Sequence, residues 1–176
     1  RLYTFKSFED GIYRRDAELE TNRDIKYSLA DIPLPNGVLR VDKVSVPNPT
    51  SIRLGHYTLP ENDGTPVKES TSAKVPGATI ISNGEYSLAM VNLTDWNKTS
   101  VLHPEGIHPV SSTCGLIMNE KQVQKEEVMV TLMLWKKGKK SFSKKELTPV
   151  KSIKVSDDKK SVEIVMADKT VKKVTF

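Results

Sequence analysis

One cysteine, Cys114, stands among 176 residues. No internal disulfide framework can form, and no thiolate cluster can hold zinc. Its neighbours in "STCGLIM" are small or apolar, which suits a buried hydrophobe better than a nucleophile. Long apolar runs are also missing. The longest, "VMVTLMLW" at 128–135, has the length of a strand and not of a membrane-spanning helix. No charged-then-apolar leader is present, and the chain opens on Arg1, as a piece excised from something larger would. There is no glycine-rich phosphate loop, no GxSxG elbow, no carboxylate pair at a catalytic spacing and no RNA-type aromatic motif. Motifs therefore nominate no catalytic residue, no metal site and no cofactor.

Helical periodicity is scarce too. The best stretch, "RRDAELETNRDIKYSLADI" at 14–32, lacks a clean 3.6-residue apolar stripe. "KQVQKEEV" at 121–128 fits a helical turn or a hairpin connection equally. What is present is period-two alternation broken by turn residues. "GVLRVDKVSV" (37–46) alternates and stops at "PNPT", and "TSIRLGHYTL" (50–59) stops at "PENDGTP". "GATIIS", then Asn83-Gly84, then "EYSLAMVNL" is the strongest hairpin signal in the chain. "TCGLIMN" and "EVMVTLMLWKKG" follow, and "VKSIKVS", "SVEIVMA" and "TVKKVTF" read as a meander with short turns. The expected class is all-β: an antiparallel β-sandwich of about ten strands with a C-terminal three-strand meander. Residues 1–34 are expected to be a connecting segment, 35–150 the sandwich, and 151–176 the meander, packed on the same domain.

Charge is unevenly placed. Residues 136–176 carry thirteen lysines against five acidic residues, whereas 1–135 are slightly acidic. A basic end can attract polyanions. Alternating lysines are also what a solvated strand face or a protected edge looks like, and that reading is preferred. Nucleic acid is not an expected partner.

"HPEGIHP" at 103–109 holds two of the three histidines with a carboxylate between them. A helical zinc motif needs histidines at i and i+4. Here the spacing is i and i+5, and Pro104, Gly106 and Pro109 exclude a helix. The prolines stiffen His103 and His108 into extended backbone. A stiff polar loop is a natural ligand contact. Trp96, in "LTDWNKT", precedes the loop, and His56-Tyr57 lies on a candidate neighbouring strand. Trp96, His56, Tyr57, His103, Glu105 and His108 are thus the candidate sugar-contacting residues. Trp96 reads equally as stacking platform or core anchor, while Trp135, ending an apolar strand, is expected in the core.

"SIRLGHYTLP", "MVNLTDW", "VLHPEGIHP" and "LMLWKKG" give residues 35–150 a texture that resembles the C-terminal β-sandwich part of bacterial heparinase-type polysaccharide lyases, in which an α/α-toroid precedes a sheet-rich region. The resemblance implies carbohydrate substrates, often acidic polysaccharides, and a periplasmic or extracellular location. It also implies a catalytic domain of the parent protein as partner. Catalytic residues there lie mainly on the helical part or at its junction, so none carries over. "YRRDAELETNRD" would be the connecting stub. The expectation is an accessory, non-catalytic domain, with a structural or protein-interaction module as the alternative and a loop-borne metal site as a further one.

Overall fold

The computed structural model describes residues 2–18, 24–61, 67–72, 74–104, 114–138 and 141–176. Within them run β1 (Leu2–Glu9), β2 (Ile12–Glu18), β3 (Lys26–Leu34), β4 (Gly37–Ser45), β5 (Thr50–Pro60), β6 (Lys68–Thr71) and β7 (Ala78–Ser82). There follow β8 (Tyr86–Asn92), β9 (Lys98–Leu102), β10 (Cys114–Val123), β11 (Glu126–Lys137), α1 (Lys144–Leu147), β12 (Val150–Val155), β13 (Ser161–Met166) and β14 (Val171–Thr175). All strand pairings among the described residues are antiparallel, and those residues are all-β apart from the single turn of α1.

Eight strands form one sheet in the order β1-β2-β3-β4-β11-β8-β7-β6, with β5-β10-β9 and β12-β13-β14 as two three-stranded sheets. The large sheet is covered on both faces, which explains why "VMVTLMLW" is apolar without alternation. In β11, Val128, Val130, Leu132 and Leu134 enter one core with Val162, Ile164, Met166 and Val174 of the meander. The residues between them face the other way. Met129 packs with Ile52, Leu54 and Val123, and Met133 with Leu59 and Ile117. The sandwich of the large sheet and β5-β10-β9 therefore carries the meander as a third layer. Each fully buried Leu, Ile or Val side chain contributes on the order of 1.5–3 kcal/mol.

The lysine-rich tail lies as a solvated face: Lys151, Lys154 and Lys173 are exposed while Val162, Ile164 and Val174 point inward. The Asn83-Gly84 hairpin forms between β7 and β8, with Ser82 opposite Ser87. Gly84 supplies the positive φ of +88°. "KQVQKEEV" is the β10–β11 hairpin connection and not a helix.

The N-terminal expectation is corrected. Residues 14–32 hold no helix among the described residues, and within 1–34 the segments Leu2–Glu9, Ile12–Glu18 and Lys26–Leu34 join the large sheet. Charges that obscure a strand in a local reading are matched across strands. Asp16 meets Lys6 at 3.0 Å and Ser28 at 2.6 Å, and Arg15 meets Asp31 at 3.1 Å. With these strands and the short β6 and β9, the described residues hold fourteen strands, where about ten were expected.

Candidate functional site

Strand β5 is placed against β10 by ten pairs, but its register slips once. Tyr57 faces Ile117 and Gly55 faces Met118, so His56 is the extra residue of a bulge. A bulge locally re-aims a side chain. Here the His56 ring meets Trp96 edge-on, centroids 5.6 Å apart and planes at 85°. Trp96 stands in the β8–β9 connection, half-buried against the cluster of Ala17, Tyr27, Leu29 and Val44. Its indole N–H is buried and meets no acceptor among the described residues. The pair is a fixed aromatic wall with one ring largely packed.

His103 follows β9 and is exposed. Its Nδ1 lies 3.6 Å from Glu61 Oε1, an ion pair whenever the imidazole is protonated. Glu61 also accepts the Val67 N–H at 3.3 Å. Cys114 pairs with Pro60 and is fully buried. Burial, followed by the nearby Glu61 carboxylate, pushes its thiol upward, which opposes thiolate formation and nucleophilic use. Trp96 and His103 bracket the five residues of β9, which span about 17 Å when extended. The structure thus brings His56 to Trp96 and His103 to Glu61, as two separate pairs. Tyr57 is placed by its backbone pairing alone. Glu105 and His108 lie outside the described residues. Among the described residues, no three His, Cys, Asp or Glu side chains gather as metal ligands.

Between the sheets runs a polar seam that the sequence reading does not single out. Asp31 receives Arg15 at 3.1 Å and Arg40 at 2.7 Å. The Tyr27 hydroxyl donates to the buried Asp42. Burial works against the Arg40 charge, but Asp31, with Asp42 adding, holds its pKa above the ordinary arginine value. Asn92, Thr99 and Asn119 form a second network, with Thr99 donating to Asn119 at 2.7 Å. The signal was available: Asp31, Arg40 and Asp42 interrupt otherwise apolar strand positions.

The two tryptophans differ most from expectation. Trp135 is 43% exposed, although the sequence reading placed it in the core. Among the described residues, the apolar cover supplied by β5-β10-β9 includes Leu88 and Met133 and does not include Trp135. Its main-chain N–H donates to the Asn36 carbonyl at 3.0 Å.

No protein-family model matches the chain, and no curated protein sequence does. Solved structures do. A heparan sulfate lyase, HepC from Pedobacter heparinus, matches 99% of this chain with a TM-score of 0.60 at 13% identity. A heparinase III gene product matches 99% with a TM-score of 0.61 at 13% identity. The chain spans 28% of the first protein's length and 27% of the second's. At this identity the likeness is one of architecture: nearly the whole chain has the fold of rather more than a quarter of a heparinase-type lyase.

Proposed function

We propose that the chain acts as an accessory, non-catalytic β-domain of a larger carbohydrate-active protein of the polysaccharide-degrading kind, working beside a catalytic domain. The observation that carries this reading is the correspondence of 99% of the chain to 28% of a heparan sulfate lyase. The sugar-contacting residues in this reading are His56 and Trp96, joined by Tyr57, His103, Glu105 and His108. The bulge at His56 supports the assignment, since it sets an imidazole against an indole on the smaller sheet.

Calorimetric titration of the chain with heparan sulfate, an unsulfated polyuronate and a neutral glucan tests the reading. Binding to at least one glycan is expected. Loss of that binding in H56A or W96A would assign it to this pair. Absence of heat with all three polysaccharides would reject the carbohydrate reading.

A second reading, a protein-interaction module, is favoured by edge strand β1. Phe5 is 57% and Phe8 62% exposed there, and Phe5 lies 5.4 Å from the Tyr13 ring. In that case a F5S/F8S variant would leave glycan titrations unchanged and abolish binding to the catalytic part of the parent protein.

A further inference from the structure

Strand β11 sends every second residue toward the smaller sheet. Met129, Thr131 and Met133 are buried there, and the next, Trp135, is the exposed one. Around it lies a shallow recess of about 310 Å³ bounded by Asn36, Trp135, Lys136 and Lys137. Lys137 is opposite Tyr86 on β8, and Trp135 is opposite Leu88. Tyr86 is therefore the diagonal neighbour of Trp135 on the same face, and it is 40% exposed. Lys136 is committed elsewhere, 2.7 Å from Glu146. Lys137 is exposed and has no ion-pair partner among the described residues.

We propose that Trp135, Tyr86, Lys137 and Asn36 form a saccharide subsite selective for anionic pyranosides, such as uronates or sulfated sugars. This rests on the carbohydrate reading above and deepens it at a different place. The indole face supplies a rigid apolar platform for the C–H face of a pyranose. The free ammonium of Lys137 meets a carboxylate or sulfate, and the exposed Asn36 amide supplies both a donor and an acceptor for ring hydroxyls. Trp96, half-buried with its N–H enclosed, presents a smaller apolar face at a separate place on the domain.

The shelf shares one end of the sandwich with the His103–Glu61 pair. Asn83, in the loop leading to Tyr86, donates to the carbonyl of Pro60, the residue before Glu61. A saccharide chain seated on Trp135 would extend toward that end.

The test titrates the intact chain with a heparin-derived hexasaccharide and with maltohexaose, using W135A, W135F, K137A and W96A. Binding of the heparin fragment is expected to weaken about tenfold in W135A and to be largely kept in W135F. K137A is expected to weaken it several-fold at low salt and less at high salt. Because Trp135 is exposed, W135A should melt with the parent chain. Heparin-fragment binding that survives W135A and is lost in W96A overturns this subsite while keeping the carbohydrate reading. Equal affinity for maltohexaose overturns the selectivity for anions. No binding of either saccharide by the parent chain rejects both proposals.

Discussion

Glu146 shows how much one side chain can carry in a single helical turn. Ser143 caps α1 by accepting from the Glu146 N–H at 3.2 Å, and the Glu146 carboxylate accepts the Ser143 N–H at 2.8 Å. Lys136 adds an ion pair at 2.7 Å. Lys136 first, then the Ser143 N–H and hydroxyl, hold the Glu146 carboxyl down to about 2, from an ordinary 4.5. A depressed folded-state value means stability that is complete above about pH 4.5 and lost as pH falls toward 2. Glu146 is partly exposed, so screening reduces the effect, and the box and ion pair together are worth about 1 kcal/mol. E146Q is expected to lower the melting temperature at pH 7 by roughly 2–4 °C and to melt with the parent chain near pH 2. A difference of the same size at both pH values, by thermal circular dichroism, would refute this. The "SKKE" spacing carries the signature of such a box, and the sequence reading passed over it. The contrast between Trp96 and Trp135 was not legible, because strand periodicity gives a residue its face and says nothing of where the covering sheet stops.

The strands are held in place by a few tight constraints. At Gly37, the first residue of β4, an added Cβ would lie 2.2 Å from the Met133 carbonyl and 2.6 Å from Leu134 Cδ2. Main chain cannot yield as a flexible side chain can. G37A is therefore expected to destabilise by about 1–3 kcal/mol, read from the denaturant midpoint. No change in the midpoint would mean that β4 and β11 separate more easily than their nine-pair register implies. Elements with clean alternation, such as β4, and with an Asn-Gly turn, such as β7–β8, were legible from sequence. β1 and β2 were not. Arg15 and Asp16 look like part of a solvated helix until their cross-strand partners are known, and those partners lie up to 16 residues away. The bulge at His56 was equally hidden, since one extra residue leaves no mark on local composition.

At the scale of the molecule, the large sheet serves two cores at once. The meander was legible as strands, yet nothing in its alternation says that it covers the outer face of the strands before it. Ile164 and Val162 pack in the same cluster as Val130 and Leu132, so the layers should lose their structure together. I164A is expected to cost about 2–5 kcal/mol and to lower one common unfolding transition. Two separate calorimetric transitions, with only the first displaced, would show the meander folding independently.

Asn83 and Gly84 form the dipeptide most prone to chemical ageing, in which the glycine nitrogen attacks the asparagine side chain and expels ammonia. In the folded chain both reactants are engaged. The Asn83 amide donates to the Pro60 carbonyl at 3.0 Å and its oxygen accepts two main-chain N–H groups, while the Gly84 N–H donates to Ser82 Oγ at 3.3 Å. Asn83 itself is buried. Ring closure therefore waits for the hairpin to open. The deamidated fraction of a stored sample becomes a clock that records the cumulative time this end of the sandwich has spent unlatched.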